Sequence, residues 1–151
     1  MITTDILKQQ VLLENIDEAG LNKIARIIKQ ASIKKGEQLF KEKDETKGLW
    51  LIQSGKIEIS RMTADGWRQT LVVLPAGHFF GELSILENRK HVASATALED
   101  SNLLLIPKED FDDWVKKDCA FALKLVIKLA IVMSKNLRRM NDKFLSSLIS
   151  Y

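Results

Sequence analysis

Cysteine is nearly missing from this sequence. Cys119 stands alone, so no disulfide closes within the chain and no thiolate cluster can hold a metal. Histidine is almost as scarce. His78 and His91 are the two present and no His-x-His occurs, whereas a metal-dependent β-barrel enzyme needs about three imidazoles and a carboxylate on neighbouring strands. The one set of two histidines and a carboxylate to hand is His78, His91 and Glu82, and we read no metal site from it. No Ser or Cys comes with a nucleophile-and-base setting, so the chain reads as a non-enzyme. Long apolar runs are missing too. Phe121–Met133 is the most apolar stretch, but Lys124 and Lys128 break it and it is too short to span a bilayer. The N-terminal MITTDILKQQ has no apolar run followed by a small-residue cleavage site. These absences lead us to expect a cytoplasmic chain with no membrane contact.

What is present is an ordinary globular balance. Apolar residues make up 46% and charged residues 28%, which excludes a disordered chain, and 151 residues suffice for one compact domain with a real core. The net charge of +3 is mild, and mixed charges of this kind mark solvated faces before they mark an anionic partner.

The pattern divides the chain into N-terminal helices over 1–32, a β region over 33–107 and C-terminal helices over 108–151. Leu21, Ile24, Ile27 and Ile28 share one helix face, Asp17 is placed to cap it, and Ile16 to staple onto Leu21. Gly36, after Lys34 and Lys35, closes the helical region. Short apolar runs then alternate with turns: Leu49–Ile52, Ile57–Ile59, Leu71–Leu74, Val92–Leu98 and Leu103–Ile106. No segment of helical period separates them, which points to an antiparallel sandwich, barrel or roll and against a parallel α/β sheet. Pro107 followed by Lys108–Glu109–Asp110 fits a helix start. A short helix through Trp114 leads into a long one over about Cys119 to Ser147.

The long helix has two different halves. Phe121–Met133 is apolar nearly all round, the signature of a helix covered on several sides. Beyond it only a stripe survives, and Val126, Ala130, Met133, Leu137, Met140 and Phe144 follow the alternating four-and-three steps of a coiled-coil seam. A domain of this size has little left to cover the second half, so we expect another copy of the same helix there, in a two-fold homodimer. Arg138, Arg139 and Lys143 lie off the seam and suit the negative end of the helix dipole. After this helix only Leu145–Tyr151 remain, and no recognition helix fits there, so DNA binding by this chain alone is not expected.

The most informative segment is Gly77–His78–Phe79–Phe80–Gly81–Glu82–Leu83–Ser84–Ile85–Leu86, continuing to His91–Val92–Ala93–Ser94–Ala95–Thr96–Ala97. A Gly directly before a short helix lets backbone approach a ligand, and the first N–H groups of that helix suit a phosphate. Glu82 would repel the phosphate but can accept hydrogen bonds from sugar hydroxyls.

Here the sequence resembles a known family. Lys35–Gly36–Glu37–x–Leu39–Phe40, then Leu49–Trp50–Leu51–Ile52–x–Ser54–Gly55–Lys56–Ile57–Glu58–Ile59, resemble early strands of cyclic-nucleotide-binding domains of the catabolite activator and protein kinase A regulatory subunit type. Phe79–Leu86 is similar to that family's phosphate-binding cassette, and the resemblance continues through Ala93–Ala97 to Pro107–x–x–x–Phe111. It implies a mainly β fold: an eight-stranded antiparallel β-roll, or jelly roll, with N-terminal helices and a long C-terminal helix. It implies a regulatory domain that binds a cyclic nucleotide and signals through the long helix to a partner protein. By the match, Phe80, Gly81, Glu82, Leu83, Ser84, His91, Val92 and Ala93 line the ligand, Glu82 holding the ribose hydroxyl. The family places an Arg at position eleven counted from Gly81, and this chain has His91 there. A neutral imidazole offers one donor and no charge, and losing a buried charge-assisted pair costs roughly 2–5 kcal/mol. Protonation of His91 would restore a cation, and Arg89 and Lys90 are auxiliary candidates for phosphate contact. Many guanine-preferring members carry Thr or Ser after the Arg; Val92 tilts this chain toward cyclic AMP over cyclic GMP. The alternative is a degenerate domain that does not hold the nucleotide tightly and serves for dimerisation or docking.

Overall fold

The computed structural model describes residues 2–149. The chain opens with α1 (Thr4–Leu7), a single 3-10 turn at Val11–Leu13 and α2 (Glu18–Ile27). Asp17 caps α2 as expected, its carboxylate accepting the Gly20 N–H at 2.9 Å. The helical region does not reach Gly36. Ile28 already has extended backbone, and β1 (Lys29–Ile33) pairs antiparallel with β8 (Ser101–Pro107), Lys29 opposite Leu105 and Ile33 opposite Ser101. The roll therefore begins at Lys29, not at residue 33, because the ladder of β8 outweighs the helical spacing of Ile24, Ile27 and Ile28.

Between these strands run β2 (Gln38–Phe40), β3 (Gly48–Ser54), β4 (Lys56–Met62), β5 (Arg68–Pro75), β6 (Phe79–Phe80), α3 (Glu82–Glu87) and β7 (Ser94–Ala97). Val92 and Ala93, expected inside a strand, lie ahead of β7. The eight strands form two four-stranded antiparallel sheets of order β1-β8-β3-β6 and β2-β7-β4-β5. Alternation along the strands decides what each sheet face meets. On β3 and β8, Leu49, Leu51, Leu104 and Ile106 face the helices, whereas Trp50, Ile52, Leu103 and Leu105 face the inside of the roll. The first sheet is thus covered on both faces. Of the second sheet, Ile57, Ala95 and Ala97 close the inside of the roll.

Helices α4 (Lys108–Lys117) and α5 (Cys119–Ile149) complete the helix-side core. Trp114 meets Phe121 edge to face at 5.0 Å, and Leu125 and Leu129 pack beneath α2 and β3 residues. Each fully buried large side chain stabilises the fold by about 1.5–3 kcal/mol relative to exposure. The first half of α5 is not covered on several sides. Phe121, Ala122, Leu125 and Leu129 are buried, but Leu123 is 57% and Ile127 49% exposed. A chain of this length supplies one covering layer for this helix, and its opposite face stays bare.

Candidate functional site

The site is built where β6 turns into α3. Register places Trp50 opposite Phe80 and Leu51 opposite Phe79, so Phe80 enters the roll while Phe79 joins the helix-side core. Phe80 packs with Trp50 (6.4 Å between ring centroids) and Phe40 (6.0 Å). The chain then reverses at Gly81, whose φ of +86° is left-handed. A methyl group there would lie 3.2 Å from the Gly48 carbonyl oxygen and close to Trp50 and His91. Gly48 is tighter still: a Cβ would stand 2.1 Å from the Ile106 carbonyl oxygen. Glycine at these two positions lets the cassette, the start of β3 and the end of β8 meet.

His91 is where the structure adds most. Its ring lies stacked on Phe40 with centroids 3.5 Å apart and planes within 5°. Its Nδ1 is 3.0 Å from Ser84 Oγ, and the two share a hydrogen bond whose donor is set by the ring tautomer. Its N–H donates to the Asp44 carbonyl at 2.9 Å, and its own carbonyl accepts the Lys43 N–H at 2.8 Å. His91 therefore joins three elements: α3 through Ser84, β2 through Phe40, and the β2–β3 loop through the backbone. Burial lowers its pKa, opposed by the Asp44 charge. A buried imidazole stacked on phenyl is a poor place for positive charge, so the ligand-free site disfavours the protonated form.

The remaining predicted residues divide. Phe80, Ser84 and Ala93 are buried, Gly81, Glu82 and Val92 half-buried, and Leu83 is exposed. The Glu82 carboxylate has no side-chain partner among the described residues but accepts its own backbone N–H, and desolvation, the larger effect, pushes its pKa up. Arg89 and Lys90 are engaged elsewhere: Arg89 pairs with Glu87, and Lys90 lies 3.7 Å from Glu45. Ser84 and His91 resemble half of a nucleophilic pair, but Ser84 is only 3% exposed and no substrate reaches its hydroxyl. No cluster of three or more His, Cys, Asp or Glu residues among the described residues is placed to hold a metal.

A cleft of about 290 Å³ opens beside His91, lined by Leu39, Phe40, Asp44, Glu45, Lys47, Trp50 and His91. Apart from His91, none of its lining belongs to the predicted ligand set. Phe40 and Trp50 were visible as parts of a family pattern; Asp44, Lys47 and Gly48 carried no sequence signal, since their contacts come from the loop's return toward the cassette.

On α5, Val126 packs partly against the chain's own core and Met133 is half-buried, while Ala130, Leu137, Met140 and Phe144 are exposed. The exposed stripe of the first half runs through Leu123 and Ile127 instead of Val126.

The profile of the cyclic nucleotide-binding domain matches residues 30–118. The cyclic AMP receptor protein of Thermus thermophilus is 35% identical over 104 residues, covering 68% of this chain and 46% of that protein. The anaerobic regulatory protein of Bacillus subtilis is 33% identical over 112 residues, covering 74% of this chain and 45% of that protein. Among solved structures, the Thermus thermophilus catabolite activator protein superposes with a TM-score of 0.76 at 25% identity, over 89% of this chain and 62% of that one. The two sheets and their flanking helices form a β-roll, and the chain belongs to the cyclic nucleotide-binding domain family. It spans about half the length of the curated relatives it matches.

Proposed function

We propose that residues 1–151 act as one cyclic-nucleotide-responsive sensor module, with cyclic AMP favoured over cyclic GMP, signalling through α5 to a partner protein. The observation that carries this reading is the left-handed turn at Gly81. It delivers Glu82, half-buried and desolvated, to the first turn of α3, where a sugar hydroxyl would add a hydrogen bond to the carboxylate. The name of the Thermus relative supports the choice of cyclic AMP. Calorimetric titration with cyclic AMP and cyclic GMP at pH 6 and pH 8 tests it. Heat of binding at micromolar to millimolar ligand is expected, larger affinity falling to the adenine nucleotide; no heat at either pH at millimolar ligand refutes it.

The module is proposed to work as a homodimer through α5, in the cytoplasm. The seam that best suits the exposed face runs through Leu123, Ile127, Ala130, Leu137, Met140, Phe144 and Leu148, with Leu123 and Ile127 in place of Val126 and the half-buried Met133 left out. Light scattering should give twice the chain mass at high micromolar concentration. A monomer there refutes the seam.

One observation favours a second reading. His91 is stacked and hydrogen-bonded within the chain, in a strut role that needs no ligand. A domain with this strut that fails to bind either nucleotide is a dimerisation or docking module.

A further inference from the structure

We infer that Lys47 supplies the cation for the ligand's phosphate that the cassette itself lacks. This rests on the proposed function and adds to it that the ligand's phosphate lies in the cleft beside His91. A cyclic phosphate is a permanent monoanion, and a partly buried site holds it only against a charged donor. The cassette offers none. His91 spends Nδ1 on Ser84 and its ring face on Phe40. Arg89 and Lys90 are drawn to Glu87 and Glu45 at the surface.

Lys47 lines the same cleft as His91, and its side chain has no carboxylate partner among the described residues. Its backbone is held: the Lys47 carbonyl accepts the Lys108 N–H at 3.0 Å. The next residue, Gly48, abuts Gly81 of the cassette. The loop thus fixes where the side chain starts while its ammonium remains available. The two acids of the cleft are both occupied. Asp44 Oδ2 accepts the Lys41 N–H at 2.9 Å, and Glu45 faces Lys90. The charges of Asp44, Glu45, Lys90 and Lys47 cancel in sum, so an entering monoanion meets no net repulsion. Asp44 remains the group that opposes it.

Titration of the whole chain with cyclic AMP at low ionic strength tests the assignment. Lys47→Ala should weaken binding by about ten- to a hundredfold, the worth of one charge-assisted hydrogen bond. Lys47→Arg should keep most of the affinity, and Asp44→Asn should raise it. Adenosine, which has no phosphate, should bind wild type and Lys47→Ala alike. The affinity for cyclic AMP should be flat between pH 6 and pH 8. If Lys47→Ala binds cyclic AMP as wild type does, the inference fails alone. A gain of affinity at pH 6 that survives Lys47→Ala gives the role to His91 and overturns it as well. If wild type binds no cyclic AMP at all, the sensor reading falls and takes this inference with it.

Discussion

The Ser84–His91 hydrogen bond is a sharp test of how the cassette is held. Both side chains are buried, at 3% and 5% exposure, and the bond joins α3 to the segment ahead of β7 across 3.0 Å. Ser84→Ala removes the hydroxyl and leaves His91 Nδ1 buried without a partner. The cost is the desolvation of an orphaned polar atom, about 2 kcal/mol. His91→Phe keeps the stack on Phe40 but orphans the Ser84 hydroxyl, with a penalty of similar size. The double variant removes both partners and replaces them with apolar groups of similar shape, which is nearly neutral. The two single penalties therefore should not add. The coupling read from the cycle is expected at about 1–3 kcal/mol. Urea unfolding at pH 7.5 measures it, with light scattering to hold the association state constant. In thermal melts each single variant should fall by about 4–8 °C, since a kilocalorie shifts a chain of this size by about 2–4 °C. Additive single penalties, or a Ser84→Ala variant as stable as wild type, would refute the strut.

Four further outcomes follow from the same geometry. The Glu82 carboxylate has a raised pKa in the folded chain, so the folded state holds its proton more tightly; stability is lost as pH rises through the folded pKa, and Glu82→Gln should raise the melting temperature of the ligand-free protein at pH 7. His91 has a lowered pKa, so the unfolded chain binds a proton that the folded one resists; wild type should lose stability as pH falls below about 6.5, and His91→Phe should flatten that slope in urea titrations. Leu125→Ala on the buried face of α5 should cost about 2–5 kcal/mol at any concentration. Leu137→Ala should leave monomer stability within about 0.5 kcal/mol and lower only the concentration-dependent part of the melting temperature.

The sequence was most legible where local pattern and tertiary position agree. Leu49–Ile52 and Leu103–Ile106 are continuous apolar runs because their sheet is covered on both faces, and that same fact makes them easy to read. Gly81 and Glu82 were readable because a left-handed turn before a short helix narrows the choice of residue. β1 was not readable. Lys29–Ile33 is largely polar and exposed, and its strand state comes from pairing with a segment over seventy positions away. The stacked, hydrogen-bonded setting of His91 was not readable for the same kind of reason. Its ring is set by Phe40 and Ser84, and Phe40 is distant in sequence; no local spacing announces a stack. Lys47 and Gly48 were invisible because they matter through where the β2–β3 loop returns.

The unequal footing of α5 has a mechanical consequence. Its 31 residues are gripped by the core only as far as about Leu129 and Val132. The stretch from Met133 to Ile149 extends roughly 24 Å beyond that grip at 1.5 Å per residue, so a tilt of about 5° at the root displaces the tip by about 2 Å. The root is clamped by Phe121 against Trp114, on the face of β3 opposite the one that carries Trp50 toward the cleft. A helix held in this way turns small repacking at its root into distance at its tip, and the root packs on the same sheet that carries Trp50 toward the cleft.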